Sequence, residues 1–306
     1  MTGQLLRGLL DDASLFPPAR LAMPAAVAAH RRHLTAWYSS LCGPFVCPET
    51  RLADLHTSLT TANCPAIEIS LVVTGGADAV PAALDAVAAD PRLRLRAVEV
   101  PAAKDGDLTD AVAAVVEALD SVPLAAAAGY VEIPLRALAD GPTAAELLAI
   151  VDSHGYRPKL RTGGVSADAF PDEMTLAHCL TAVIDRRTPF KCTAGLHHAV
   201  RHTAADTGFE HHGFLNVLLA VACAARGANI EDVADLLAQR DAATVAARIA
   251  RLDDDAIDDG RYLFISFGTC STDEPVADLV ALGLLNPSAK EVADGTAQGG
   301  ALAWDT

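Results

Sequence analysis

Eight short apolar runs recur along this chain, each followed by a longer alanine-rich stretch with helical periodicity. No other feature limits the fold as strongly. The runs are "ASLFPP" (13–18), "GPFVCPE" (43–49), "AIEISLVVTG" (66–75), "RLRAVEVP" (94–101), "AGYVEIP" (128–134), "RPKLRTGG" (157–164), "PFKCTAG" (189–195) and "RYLFISFGT" (261–269). Between them lie amphipathic segments such as "TDAVAAVVEALDSV" (109–122) and "TAAELLAIVDSHG" (143–155). The first opens on a Thr-Asp cap region and the second closes on glycine, as helices do. Eight strands each followed by helix predict an α/β fold, a (β/α)₈ TIM barrel.

The barrel is expected to form a single domain over residues 1–306, because no Gly-, Ser- or Pro-rich linker divides the chain. One long helical excursion falls between strands seven and eight: "HGFLNVLLAVACAARG", "IEDVADLLAQR" and "AATVAARIARLDDD". The first of these is apolar enough to suggest burial against another helix or another subunit, hence a possible homo-oligomer. The acidic "RLDDDAIDDG" reads as a solvated turn. A doubly wound open sheet is the competing fold, but its G-x-G-x-x-G fingerprint is missing after the first strand.

Half of the residues are apolar (51%), enough for a sizeable core, and the formal charge of −16 argues against nucleic acid or an anionic membrane as a partner. Seven cysteines form no C-x-x-C pair, which fits reduced thiols in a cytoplasmic protein. The N-terminus carries acidic residues where a signal peptide would be apolar, and no run is long enough for a membrane span.

In such a barrel the chemistry sits where strands run into their following loops. Those positions are polar here: Asp11 and Asp12 beside strand one, Glu49 after two, Glu99 on four and Glu132 on five. Strands six and seven add Lys159, Arg161, Thr162, Gly163, Lys191, Thr193, Gly195, His197 and His198, and strand eight adds Ser266, Thr269 and Ser271. Only four lysines occur among 23 basic residues, and two of them stand on strands six and seven. Side chains alternate along a strand, so Lys159 and Arg161 share a face, as do Lys191 and Thr193, with Leu160 and Cys192 packing outward. Arginine does not give up its proton, whereas a lysine beside a second cation can become an amine nucleophile. Schiff-base chemistry on a small anionic carbonyl compound is therefore expected. Lys159 is the nucleophile, Lys191 the perturbing cation and Arg161 the anion clamp. Glu132 moves protons with His197 or His198. Glu99, Thr162, Gly163, Thr193, Gly195, Ser266, Thr269 and Ser271 are placed around the substrate, with no cofactor required.

"KLRTGG" on strand six and "KCTAGLH" on strand seven resemble the paired lysine motifs of deoxyribose-phosphate-aldolase-type class I aldolases. The resemblance implies a lyase with Lys159 as Schiff-base lysine, Lys191 as the second lysine that perturbs it, and Gly195 in an anion-binding turn. Glu99 is the candidate nearest in chain order for that family's acidic proton-transfer residue.

Five of the ten histidines fall between 197 and 212. His198 and His202, four apart, would share one face of a helix, and with His212 they form an alternative set for a divalent metal such as zinc, completed by Glu210 or Glu132. That set implies a metal-dependent hydrolase, lyase or isomerase. His30, His33, His56, His154 and His178 read as helix-surface residues. A third possibility is a non-catalytic barrel that binds a ligand.

Overall fold

A computed structural model describes residues 2–103 and 106–287. Its strands are β1 (Leu10–Asp12), β2 (Cys42–Pro48), β3 (Ile67–Val72), β4 (Leu93–Pro101), β5 (Ala128–Glu132), β6 (Arg157–Arg161), β7 (Phe190–Thr193), β8 (His202–Thr203), β9 (Glu210–His211) and β10 (Phe264–Thr269). Strands β1 to β7 pair in sequence order, β10 pairs with both β7 and β1, and every one of these pairings is parallel. The result is a closed eight-stranded barrel with helices between its strands, the α/β architecture that the sequence predicts. No helix of the described residues is long and apolar enough to cross a membrane.

Alternation along the strands produces the two faces of the wall. Val98, Val131, Leu160, Cys192 and Phe267 are fully buried and join the main core between barrel and helices. Glu99, Lys159, Lys191 and Ser266 alternate with them and point into the lumen, where their side chains meet. Helix starts follow local capping chemistry: the Asp107 carboxylate accepts from the Thr109 and Asp110 amides and opens helix Leu108–Asp120 two residues before the expected cap.

Several local expectations differ from the structure. The first strand is Leu10–Asp12 and not 13–18: Pro17 and Pro18 have no N–H to give a ladder, and their segment forms an irregular loop with a cis Pro17–Pro18 bond. The last strand starts at Phe264, because residues 261–263 finish helix Asp254–Leu263. The acidic "RLDDDAIDDG" is therefore mostly helix. The Asp253 side chain accepts from the Ala256 amide at 2.8 Å, and Asp254 and Asp255 sit in the first turn, where the helix dipole favours negative charge.

The excursion between β7 and β10 also holds an antiparallel hairpin of β8 and β9 ahead of four helices, the last of them Asp254–Leu263. Helix Phe214–Ala224 is buried from Phe214 to Ala222, against helices Glu173–Asp185, Ile230–Ala238, Ala242–Ile249 and Asp254–Leu263 of the same chain. Its apolar perimeter needs no second subunit. His30 and His33 are buried rather than on a helix surface: Nδ1 of His30 lies 3.0 Å from Asp12 Oδ2, and Nδ1 of His33 lies 2.9 Å from the Tyr38 hydroxyl. Asp12 on the preceding strand and Tyr38 just past the helix hold both inside.

Candidate active site

Four lumen positions stand side by side across the wall. Glu132 on β5 is in register with Lys159 on β6, Lys159 with Lys191 on β7, and Lys191 with Ser266 on β10. The row ends at Asp11 of β1, whose Oδ2 accepts from the Ser266 hydroxyl at 2.8 Å and from Lys191 Nζ at 2.5 Å. Glu99 of β4 reaches across the lumen between the two lysines. Its Oε2 lies 2.7 Å from Lys159 Nζ, and its Oε1 lies 2.5 Å from Lys191 Nζ and accepts from the Ser70 hydroxyl at 2.5 Å. Lys159 also meets Glu132 Oε2 at 2.9 Å, and Glu132 Oε1 accepts from Arg161 Nε at 2.8 Å.

The outcome is one chain of alternating charge, Asp11–Lys191–Glu99–Lys159–Glu132–Arg161. Three carboxylates face three cations, so the formal charges along the chain cancel, the last cation standing at the solvent end. Cancellation is required, because an unpaired charge at this depth costs several kcal/mol. The chain runs from the interior to solvent: the Asp11, Lys191, Glu99 and Lys159 side chains are at most 3% exposed, Glu132 is 16% exposed and Arg161 is 51% exposed. Lys159 is thus the lysine whose ion pairs lead to solvent, through Glu132 and Arg161.

Protonation follows this geometry. Burial raises the Glu99 carboxyl pKa, yet Lys159 and Lys191 outweigh it and hold the group well below the ordinary carboxylate range. Glu132 moves down in the same way, burial opposing and Lys159 and Arg161 prevailing. For Lys191 burial lowers the pKa, but Asp11 and Glu99 raise it above the usual lysine value, so this ammonium keeps its proton. Asp11 goes up because its burial exceeds the pull of Lys191. The Lys191 ammonium also stands 5.5 Å from the centre of the Tyr130 ring.

The other expected residues fall into two groups. Thr193 lines the lumen beside Gly268: a Cβ on Gly268 would stand 3.2 Å from Thr193 Oγ1. Thr162 is fully buried and donates to the Ala194 carbonyl at 2.7 Å, tying the ends of β6 and β7 together. Gly163 and Gly195 pack backbone against backbone at the same place, with Gly195 at φ +80°. Thr269 donates to the Ser271 carbonyl at 2.9 Å and closes the turn after β10. These residues shape the rim of the barrel and do not touch the charge chain.

The histidines lie outside it as well. His198 is in a loop, not on a helix, with Nδ1 3.0 Å from Asp278 Oδ2. His197 Nδ1 lies 3.4 Å from Glu274 and 3.6 Å from Cys270 Sγ. His202 sits on β8 with Nδ1 near the Val200 carbonyl, and His211 on β9 stacks on Phe170 at 4.3 Å. His212 is 1% exposed, its Nε2 2.9 Å from the Pro171 carbonyl and its Nδ1 3.2 Å from Arg201 Nη1. Both of its nitrogens are committed, so His212 does not join His198 and His202, whose rings lie 4.6 Å apart. Glu210 is held by Arg201 and Arg240, and Glu132 belongs to the lumen chain. Among the described residues no group of three His, Cys, Asp or Glu side chains is arranged to hold a metal ion.

Three contributors go beyond the expected site. Asp11 was visible only as a polar residue beside the first strand; its role as the second anchor of Lys191 depends on barrel closure between β1 and β10. Ser70 interrupts the apolar run of β3, and that interruption is its sequence signal. Tyr130 had none beyond its parity with Glu132. Compared with known proteins, the chain matches no family model and no characterised protein sequence.

Proposed function

We propose that this protein is a lysine-dependent barrel enzyme, a lyase of the aldolase kind, acting on a small anionic carbonyl compound. The observation that carries the reading is the sharing of one carboxylate, Glu99, by two lysines in register on adjacent strands. Lys191, clasped by Asp11 and Glu99, is the fixed cation. Lys159 is the nucleophile, since its second partner Glu132 is a base at the solvent end of the chain.

The steps balance as follows. Lys159 gives a proton to Glu132, and the free amine adds to the carbonyl carbon to form a carbinolamine. Glu132 returns the proton to the carbinolamine oxygen, which leaves as water, and an iminium remains. The iminium carries the same single positive charge as the ammonium it replaces. Glu99 therefore keeps a cationic partner, and the neutrality of the buried chain survives the reaction. That charge draws electrons from the neighbouring carbon and supports carbon–carbon cleavage or formation. Arg161, half-exposed at the mouth, is placed to receive the substrate's anionic group. The resemblance of the two lysine motifs to deoxyribose-phosphate-aldolase-type enzymes supports the same reading.

The test is borohydride reduction in the presence of small aldehydes and keto acids, followed by intact mass and peptide mapping. The expected result is an adduct on Lys159 that is absent from Lys159→Arg. No adduct with any carbonyl in the pool overturns the reading.

A further inference from the structure

The charge chain reaches solvent only on one side of the barrel mouth, at Glu132 on β5 and Arg161 on β6. Ala13, just beyond β1, Val46 on β2 and Val72 on β3 form an apolar cluster of their own, separate from the main core, with Phe16 packed on it. Their parity places them in the lumen. Val72 shares a face with Ser70, whose hydroxyl meets Glu99, and Val46 is the register partner of Ser70. Gly268 continues the strip toward β7, since a Cβ there would stand 3.8 Å from Ala13 Cβ and 3.2 Å from Thr193 Oγ1. Glycine at that point leaves the wall without a side chain between two small neighbours. The mouth is therefore two-sided: charged from β4 to β7, and apolar or bare from β10 round to β3, where Gly268, Ala13 and Val72 each follow by two residues the polar Ser266, Asp11 and Ser70 that join the charge chain.

Packing alone is a poor account of the strip. The barrel's main core lies under the helices, and these three residues are not part of it. Apolar side chains around a buried ion chain also withhold the hydrogen bonds that would offset its desolvation. A ligand seated over Lys159 with its anionic end at Arg161 would bring its opposite end toward the apolar side. We infer that Ala13, Val46 and Val72, roofed by Phe16, form a subsite for the apolar end of the substrate. The substrate class is then a small carbonyl compound with an anionic group at one end and a short aliphatic chain at the other. A polyhydroxylated chain is disfavoured, because its hydroxyls would lose water and find no partner on the strip. This substrate class rests on the lysine reading; the subsite itself does not.

Two measurements separate them. Titration calorimetry with acetate, butyrate and hexanoate needs no Schiff base. In the wild type the affinity is expected to rise about fourfold per added methylene, the increment for burying a CH₂. The rise is expected to flatten in Val72→Thr, which keeps the shape of the side chain, and in Phe16→Ala, which removes the roof where it packs on both the strip and the main core. Borohydride trapping on the same proteins then compares butanal with a hydroxylated aldehyde of equal length. Adducts with both aldehydes in equal yield, together with chain-length-independent carboxylate binding, overturn the subsite and leave the lysine reading standing. Chain-length-dependent carboxylate binding without any adduct keeps the subsite and overturns the lysine reading. Chain-length dependence that persists unchanged in both variants also overturns the subsite.

Discussion

Lys159 and Lys191 are register partners on neighbouring strands, and both bind the carboxylate of Glu99, at 2.7 and 2.5 Å. Two like charges are held side by side because one anion, 2% exposed, lies between them. Glu99 is thus the keystone of the lumen. Glu99→Gln removes its charge and leaves two buried ammonium groups, each with only one remaining carboxylate. Breaking a buried pair in this way costs about 3–5 kcal/mol. Urea denaturation at neutral pH should report a loss of that size, and a loss under 1 kcal/mol would show that the lumen is wetter than its burial implies.

Lys159→Arg tests the lysine chemistry apart from the fold. A guanidinium keeps the positive charge between Glu99 and Glu132 but cannot become an amine nucleophile. The variant is expected to lose all carbonyl adduct while its denaturation midpoint changes far less than that of Glu99→Gln. An adduct that persists on Lys191 in this variant would reassign the nucleophile.

The barrel and the inward parity of Lys159, Arg161, Lys191 and Thr193 were legible in the sequence, because both follow from local periodicity. Glu99 was legible as a polar strand residue but not as the bridge between the lysines, since that depends on how the lumen closes across strands far apart in sequence. Asp11 became the partner of Lys191 for the same reason. The histidines mislead in the opposite way: five lie close in the chain, and the rings of His198, His202 and His211 do come together, 4.6 and 5.1 Å apart, but through a loop and the β8–β9 hairpin, while His212 is buried apart against Arg201 and Pro171. Proximity along a chain predicts a shared face only if the segment is a helix, and this one is not.

Acid should destabilise the protein in two stages. Burial pushes His212 down to about 4, and the neighbouring Arg201 acts in the same direction. Burial also lowers His197, His202 and His211. The unfolded chain then binds more protons than the native state below about pH 6.5, so stability falls as pH falls through that range. For His212, which is 1% exposed, the full effect is about 3 kcal/mol once the pH is below 4. Glu99 and Glu132, both depressed, add a second loss as pH falls below the unfolded carboxyl value near 4.3. Asp11 opposes this, since its raised value favours the native state at low pH. Denaturation free energies at pH 7, 5.5 and 4.5 should decline steadily in the wild type and less steeply in His212→Gln. A flat profile from pH 7 to 4.5 would contradict the buried neutral histidines.

Two glycines at the mouth should respond differently to alanine. At Gly163 a Cβ would stand 2.8 Å from Gly195 Cα and 2.8 Å from Phe170 Cε1, so the ends of β6 and β7 would have to separate. Overpacking of this kind costs about 1–3 kcal/mol. At Gly268 the nearest atoms, Thr193 Oγ1 and Ala13 Cβ, are 3.2 and 3.8 Å away, and a small shift of one hydroxyl accommodates the methyl. Gly163→Ala should therefore lower the denaturation midpoint, while Gly268→Ala leaves it nearly unchanged and fills the bare stretch of lumen wall between β7 and β1. Its effect should appear in trapping instead: adduct yield with the longer aldehydes should fall relative to the shortest one. Equal yields across the series in Gly268→Ala would place the reacting carbonyl away from that wall, on the Glu132 side of Lys159.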